Sequence, residues 1–493
     1  MPLRPLNRQQ SWLLPPSLDE LLADDHPARF VAEFVDGLDQ ASWADMGVTL
    51  DGDPLGAPAY HPRALLSVWL YGFMTGMRSS RKLEAACRDQ IPYLWLRGWQ
   101  HPDHNTLWRF YQAHRGAMRT LMKCTVGTAV EMGLIDLAVQ AVDGTKIQGN
   151  ASRNRTYYAR GLQKLLERAD AAIAELEAQN ESGNDPPPPK LPEQLRQAHG
   201  LRDQVRAAMD RLATETGVVR ANLTDGDCEL MKGRNGIVAG YNAQSVVSPL
   251  NPAIRNGMLI TAADVVNNAS DSAQLVPMLE MSEEMTGVRV PVTLADGGYH
   301  TAANLREGEQ RGDTLVMTER YHPGVQGPYF KDRFVYDAAA DSYVCPEGQW
   351  LPFRGYRKVN GRIPGPFRLY RAPRAVCRAC PAFGVCTKDK HTGRALWIGP
   401  ADALIRKHRQ WMATDEARAL YAQRKELNEP VFGIIKEQMG ARRFLLWSLA
   451  NVRAEFMVLA TAFNLRTLWR TWACRRTPRP TPISPFTVVA APS

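Results

Sequence analysis

Two short apolar runs, each ending in an aspartate followed at once by glycine, constrain the fold of this chain more than any other feature. The runs are LAVQAVD at 137–143 and VTLAD at 292–296. A short, uniformly apolar run bounded by a turn signal is typical of a buried strand. A carboxylate is costly to bury unless a cation or hydrogen bonds compensate for its lost hydration. We therefore predict that Asp143 and Asp296 lie at strand ends and serve chemistry, with capping of the following turn as the alternative for Asp143.

The segments around these runs predict an α/β core. Further strand patterns lie at 237–248, 257–266 and 314–319, with a helical pattern between the second and the third. Residues 1–130 instead place apolar side chains at spacings of three and four, which predicts a helical N-terminal domain. The basic and aromatic residues of this domain are equally compatible with binding to DNA ends and with plain helix packing.

Two insertions interrupt the predicted core, which spans 131–476. Residues 153–215 carry two charged helical patterns on either side of a turn-forming segment, which predicts a helical hairpin. Residues 321–400 are rich in arginine, proline, glycine and cysteine. The tail at 477–493 has the composition of a disordered segment.

The second insertion contains four of the eight cysteines, Cys345, Cys377, Cys380 and Cys386. Four thiolates, two of them in a Cys-x2-Cys pair, can complete a tetrahedral zinc site. The alternative is a metal-free segment with four free thiols. Disulfides are not expected, because we predict a reducing, cytoplasmic environment.

The stretch from 421 to 455 combines six basic residues with four glutamates. Glu429 and Lys436 are seven residues apart, so two turns of a helix would put them on one face. Tyr421 and Arg424 would lie near the same carboxylate if that helix is continuous. Pro430 makes a kink or a new helix start an equal alternative, and an ordinary surface helix with ion pairs is the simpler interpretation of the whole pattern.

The net charge of +9 is concentrated at 354–378 and 442–476, the second of which begins with Arg442 and Arg443. This clustering predicts a polyanionic partner, with simple solubility as the alternative. No apolar run approaches the length of a membrane span, and the N-terminus lacks a signal-peptide pattern, so we expect a cytoplasmic, nucleoid-associated protein without membrane contact.

Three candidate carboxylates remain, namely those of Asp143, Asp296 and Glu429. Paired Mg²⁺ or Mn²⁺ ions require hard oxygen ligands and open positions for substrate phosphate. The three acids therefore predict a two-metal phosphoryl-transfer site, with the basic surface holding a nucleic acid backbone.

Several motifs in order resemble those of DDE-class insertion-sequence transposases: AVDGTKIQGNAS, GYNAQSVVS, LADGGYHT and Tyr-x2-Arg followed by Glu-x6-Lys. The resemblance covers about 27–472. The helical N-terminal region and the cysteine-rich insert are similar to those of one subgroup. The resemblance implies an RNase H-like catalytic core of mixed sheet and helices, whose three metal-binding acids are Asp143, Asp296 and Glu429.

The same resemblance implies DNA contacts by auxiliary residues, namely Tyr421, Arg424, Lys436, Arg442 and Arg443. Four residues separate Arg424 from Glu429, where the family usually has three, which leaves Glu426 as the alternative third acid. The implied activity is cleavage of double-stranded DNA at the terminal inverted repeats of an element. Joining of the 3′-hydroxyl to target DNA would follow, carried out by a homodimer or higher oligomer. The alternatives are a catalytically inert DNA-binding relative and a metal-dependent nuclease that does not join strands.

Overall fold

The computed structural model describes residues 17–50, 59–181, 191–233, 236–254, 256–319, 327–357, 366–389 and 391–476. The chain forms two compact units. The first comprises 1–271, 277–289 and 426–493, and the second comprises 272–276 and 290–425. The tail predicted to be disordered, 477–493, lies outside the described residues.

The helices account for most of the first unit and for parts of the second. In chain order they are α1 (Pro27–Asp36), α2 (Gln40–Asp45), α3 (Pro62–Thr75), α4 (Ser80–Asp89), α5 (Ile91–Leu96), α6 (His104–His114), α7 (Met118–Glu131), α8 (Ala159–Glu181), α9 (Leu191–Thr214), α10 (Leu275–Thr286), α11 (Ala302–Arg311), α12 (Arg374–Ala379), α13 (Asp402–Met412), α14 (Asp415–Gly433) and α15 (Leu449–Arg476). A π-helical turn, Ile434–Gln438, follows α14 directly.

Both units contain strands. They are β1 (Val139–Gln148), β2 (Thr156–Tyr158), β3 (Arg220–Asn222), β4 (Glu229–Gly233), β5 (Gly236–Pro249), β6 (Met258–Val266), β7 (Val292–Ala295), β8 (Thr314–Met317), β9 (Val335–Asp337), β10 (Ser342–Val344), β11 (Trp350–Arg357), β12 (Phe367–Arg371) and β13 (Ala395–Ile398).

The N-terminal region is helical, as the apolar spacing predicted. Proline opens α1 and α3, where its missing N–H costs no helical hydrogen bond. His26 and His61 cap these two helices, each accepting a backbone N–H at Nδ1. Gly76 ends α3 with φ +83°, a conformation that favours glycine. Residues 65–74 of α3 are all buried, so this helix lies at the centre of the helical layer.

The sheet of the first unit is antiparallel and is organised around β5. One edge of β5 pairs with β1, and the other pairs with β4 and then β6. Helix α15 packs against β6, where the Asn464 carboxamide accepts from the Ile260 N–H and donates to the Ile260 carbonyl. These two hydrogen bonds fix the last helix against the sheet and complete the main hydrophobic core.

The segment 153–215 forms a helical hairpin of α8 and α9. Its small core includes Leu162, Val205 and Leu223. The short β2–β3 pair closes the base of the hairpin. The connection at 182–190 lies outside the described residues.

The second unit contains a parallel β7–β8 pair joined through α11 and a separate antiparallel sheet in the order β13-β12-β11-β10-β9. The five-stranded sheet lies inside 321–400, where the sequence predicted no strands. Its strands are short, with three of three to four residues each, and they are separated by glycine and proline, so they leave little periodic signal. Their core contains Phe334, Tyr343, Leu351 and Tyr370.

The helical N-terminal region and the strands of both units confirm the mixed α/β class. The antiparallel group around β5, followed along the chain by a βαβ unit, is compatible with an RNase H-like core. Among the described residues, no helix combines the length and apolar character needed to cross a bilayer.

Candidate active site

Asp143 lies in the middle of β1, not at its end. The predicted strand end is wrong because residues 144–148 continue to pair with β5 in register. Asp143 is partly buried opposite Ser245. The backbone N–H of Gly144 donates to Asp143 Oδ1 at 2.8 Å. This hydrogen bond orients the carboxylate relative to its own strand.

A polar cluster occupies the opposite face of β1, where Lys146 and Gly144 point. Asp271 Oδ1 accepts from Lys146 Nζ at 3.0 Å, from Asn242 Nδ2 at 2.6 Å and from Gln244 Nε2 at 2.8 Å. A Cβ at position 144 would lie 2.2 Å from Gln244 Nε2 and 2.6 Å from Asp271 Oδ1. Glycine is therefore required beside Asp143. Asp271, which follows β6 in a loop, carries no sequence pattern that predicts this role.

Lys436 connects the π-helical turn to β1. Its Nζ donates to Thr145 Oγ1 at 2.5 Å and lies 3.4 Å from the Lys146 carbonyl. Because side chains two apart on a strand share a face, Thr145 and Asp143 point to the same side of the sheet. Lys436 therefore reaches the face of β1 that carries Asp143.

Helix α14 carries Glu429 on its exposed surface and continues through Pro430 without ending. The alternative of a new helix start at Pro430 is therefore wrong. The irregularity comes later, in the π-helical turn, a feature that occurs often at functional sites. Glu426 is also exposed. Asn428, between them, is wholly buried, and neither atom of its carboxamide has a hydrogen-bond partner among the described residues.

Asp296 follows β7 directly, as predicted. Its Oδ1 accepts from the Gly298 N–H at 2.6 Å, and its carbonyl accepts from the Tyr299 N–H at 3.2 Å. Tyr299 is fully buried and anchors this turn. Thr301 then caps α11 by accepting from the N–H of Asn304. The turn thus fixes the carboxylate at the carboxyl end of a parallel strand.

Tyr421 and Arg424 lie at the carboxyl end of the neighbouring strand, β8. The Tyr421 hydroxyl is 3.1 Å from Thr318 Oγ1, one residue beyond that strand. The Arg424 guanidinium carbon lies 5.6 Å from the centre of the Tyr421 ring, a cation–π distance. Since β7 and β8 are parallel and adjacent, these side chains stand at the same edge of the pair as Asp296.

Arg442 and Arg443 are both exposed on the segment between the π-helical turn and α15. Arg442 Nε donates to the Glu437 carboxylate at 3.0 Å. The Arg443 guanidinium donates to Asn150 Oδ1. Both cations are therefore held near the end of β1 while remaining open to solvent.

The four cysteines of the insert line one small cavity of about 20 Å³, together with Arg394. That volume holds roughly one water-sized particle. Backbone N–H groups point at two of the sulfurs, from Gln349 to Cys345 Sγ at 3.2 Å and from Arg394 to Cys377 Sγ at 3.3 Å. Burial raises the pKa of the Cys386 thiol, Arg394 opposes that rise, and the other three thiols reinforce it. All eight cysteines of the chain are free thiols.

Metal-ligand geometry is not complete at any of these places. Within the parts of the chain that the structure describes, no group of three or more His, Cys, Asp or Glu side chains is arranged as a metal site. The structure brings together only some of the predicted site residues within each unit. In the first unit Lys436 meets the face of β1 that carries Asp143, and in the second unit Tyr421 and Arg424 share a strand edge with Asp296.

Two protein-family models match the chain. A model described as "Transposase domain (DUF772)" matches residues 16–113, and one described as "Transposase DDE domain" matches residues 344–469. The first covers most of the helical N-terminal region. The second includes Glu429 and Lys436 but neither Asp143 nor Asp296. No curated protein and no solved structure gives a match.

Proposed function

Since its two matched domains make this chain an insertion-sequence transposase of the DDE class, we propose that it cleaves DNA at the ends of its element and joins the freed 3′-hydroxyl to target DNA. One contact carries the proposal. The hydrogen bond from Lys436 to Thr145 ties the turn after the Glu429 helix to the strand of Asp143, on the face that Asp143 shares. This supports assigning Asp143 and Glu429 to one site, and the motif resemblance adds Asp296 as the third acid of the proposal.

The donor chemistry of the three acids fits Mg²⁺ or Mn²⁺. All three offer hard oxygen ligands, and Glu429 is exposed while Asp143 and Asp296 are partly so. Two such ions, when bound, would activate the attacking oxygen and stabilise the leaving oxygen. The chain orients two of its ligands through the N–H groups of Gly144 and Gly298, which each hold one carboxylate oxygen.

The basic side chains bind the DNA backbone in this proposal. Lys436 directs an ammonium group to the face of β1 that carries Asp143, where it can balance phosphate charge. Tyr421 and Arg424 form the corresponding contact beside Asp296. Arg442 and Arg443, exposed beyond the end of β1, extend the positive surface along the duplex.

The other domains serve binding and assembly. Helices α4 and α6 expose Arg81, Lys82 and Arg109, which supports a role for 1–130 in contacting element ends. The helical hairpin at 153–215 offers mixed charge without a chemical site, so we assign it to DNA or subunit contacts. Assembly as a homodimer or higher oligomer would bring two element ends together.

We also propose that the cysteine cluster binds one structural Zn²⁺. The four sulfurs share a cavity of ionic size, and two of them already accept backbone N–H groups. Among the described residues these side chains are not arranged as a metal site, so zinc binding would require them to rearrange. The expected role is to hold the short strands of the five-stranded sheet.

Cleavage and joining assays test the proposal. The probe is the DNA that flanks the coding region, incubated with Mg²⁺ and a target plasmid. Asp143→Asn, Asp296→Asn and Glu429→Gln should each lower both steps by at least about 10²–10³-fold, because each removes an anionic ligand without removing phosphate contacts. DNA binding should persist. Glu426→Gln, one turn earlier on the same helix, is the control and should remain active.

The alternatives give different results. Wild-type protein that binds the probe but never cuts it is an inert relative. Wild-type protein that cuts without joining in the presence of target is a nuclease. Full activity of Asp143→Asn would refute the assignment of the first acid.

A further inference from the structure

The segment 440–448, between the π-helical turn and α15, exposes large apolar side chains on a rigid support. We call it the 440–448 loop. Leu445 is 40% exposed and Trp447 is 55% exposed. They follow the exposed Arg442 and Arg443, so one short loop presents an indole, an aliphatic side chain and two guanidinium groups to solvent.

A buried ion pair supports the loop from below. Arg78 Nη1 and Glu455 Oε1 are 2.6 Å apart, with side chains that are 6% and 2% exposed. The same guanidinium donates to the carbonyls of Gly440 and Arg443. Glu455 in turn accepts the N–H groups of Leu445 and Leu446 at 3.0–3.1 Å. The backbone of the loop is therefore fixed by hydrogen bonds to both members of a buried ion pair.

Asn150 fixes the loop from the side. It follows the end of β1 by two residues, and its Nδ2 donates to the Leu445 carbonyl at 2.9 Å. Trp447 Nε1 donates to the Asn150 carbonyl at 2.9 Å, which sets the orientation of the indole. Phe444, fully buried, donates its N–H to the Gln148 carbonyl.

The end of the loop is equally constrained. Ser448 adopts φ +70°, a conformation that is uncommon for a residue with a side chain. Asp225 Oδ1 accepts its N–H at 3.2 Å, and Asp227 Oδ2 accepts the N–H of Leu449 at 2.8 Å. Such strain persists only where the surroundings impose it, and it is concentrated at functional positions.

We propose that the 440–448 loop contacts the bases of DNA, with Trp447 stacking on an accessible nucleobase, Leu445 packing beside it, and Arg442 and Arg443 holding the flanking phosphates. Every base offers a face to an indole, so this contact is independent of sequence. The two arginines favour a negatively charged partner, such as a nucleic acid, over a protein surface with few acidic residues. The inference rests on the proposed function, because it assigns a surface to the same DNA that Asp143 would act on.

Salt titrations of DNA binding separate stacking from phosphate contact. The full-length protein is titrated with the flanking DNA as a paired duplex and as the same duplex with unpaired bases, at several salt concentrations. Trp447→Ala should weaken binding about 5- to 150-fold without changing the slope of log Kd against log salt, because stacking releases no counterions. Arg443→Gln should reduce that slope by roughly 0.9.

Two variants control for structure. Trp447→Phe keeps an aromatic face but loses the N–H bond to Asn150, so it should retain most of the affinity. Trp99→Ala removes another exposed tryptophan of the first unit, one that is 63% exposed, and should bind as the wild type does. Wild-type protein should prefer the duplex with unpaired bases, where no unstacking is needed, and Trp447→Ala should lose that preference.

Other outcomes overturn the inference. Wild-type affinity in Trp447→Ala refutes base contact and leaves the proposed function intact, whereas failure of the wild-type protein to bind either probe removes the proposed function as well. A Trp447→Ala variant that binds DNA normally but no longer self-associates in sedimentation would make the loop a protein interface instead.

Discussion

Replacing Glu455 by glutamine tests whether the buried ion pair holds the 440–448 loop in place. The amide is nearly isosteric, so the change removes the charge and one acceptor while keeping the volume. Arg78 would then be a buried guanidinium without a counter-ion. The amide nitrogen would also replace the oxygen that accepts either from Arg78 or from the Leu446 N–H.

The expected cost follows from these contacts. Removing one partner of a buried ion pair costs roughly 3–5 kcal/mol. Burial raises the pKa of Glu455, and the Arg78 charge and the two backbone N–H groups only partly reverse that rise. Burial therefore already destabilises the wild-type carboxylate. We expect the loss of stability to lie at the lower end of the range, about 3 kcal/mol.

Amide hydrogen exchange measures this cost locally, which matters because a chain of two units need not unfold in one transition. The Leu445 and Leu446 amides should exchange about two orders of magnitude faster in Glu455→Gln than in the wild type. Glu437→Gln is the matched control, since its pair with Arg442 is exposed, and exchange in the loop should not change. Equal exchange rates in the two variants would refute the idea that the ion pair holds the loop.

Three further expectations concern other parts of the molecule. Purified protein should contain about one zinc per chain. Cys377→Ser or Cys380→Ser should lose the zinc, whereas Cys474→Ser, at an exposed cysteine outside the insert, should keep it. Zinc-free wild-type protein would refute the site. Burial lowers the pKa of both His300 and His408. The unfolded chain therefore binds more protons than the folded chain at acidic pH, and the melting temperature should fall as the pH drops below about 6.5. An equal fall in a His300→Gln/His408→Gln double variant would contradict this. Gly144→Ala should lower the free energy of unfolding by about 1–3 kcal/mol, because the added Cβ meets Gln244 and Asp271. At Gly433, on a helix, an added Cβ meets no atom within 4 Å, so Gly433→Ala should be neutral or stabilising. Similar changes in stability for the two variants would contradict the close approach at β1.

The sequence predicted the α/β class and the strands at the two aspartates, because short apolar runs with an acid and a glycine carry a strong local signal. It did not predict that β1 continues past Asp143. Glycine after an apolar run normally signals a turn, but here the missing Cβ makes room for Gln244 and Asp271 on the neighbouring elements. That requirement exists only in the folded sheet.

The residues that the sequence missed lack any local pattern. Asp271 and Asn150 are polar residues in loops. They matter because Asp271 contacts Lys146 within β1, and Asn150, just past the end of β1, contacts the 440–448 loop. Asn428 looks like a helix-surface residue, yet it is fully buried. The strands at 335–398 were missed for a different reason. Four of the five have only three to five residues, too few for alternation to be recognised, and the eight-residue β11 contains Pro352 and Gly355.

The relation between Glu429 and Lys436 shows most directly what a helical repeat can predict. Seven residues of regular α-helix would return Lys436 to the face of Glu429. The structure instead inserts a π-helical turn after Gly433, and each such turn adds one residue to the hydrogen-bonded ring. Lys436 consequently meets Thr145 on β1 in a register that the spacing alone does not give.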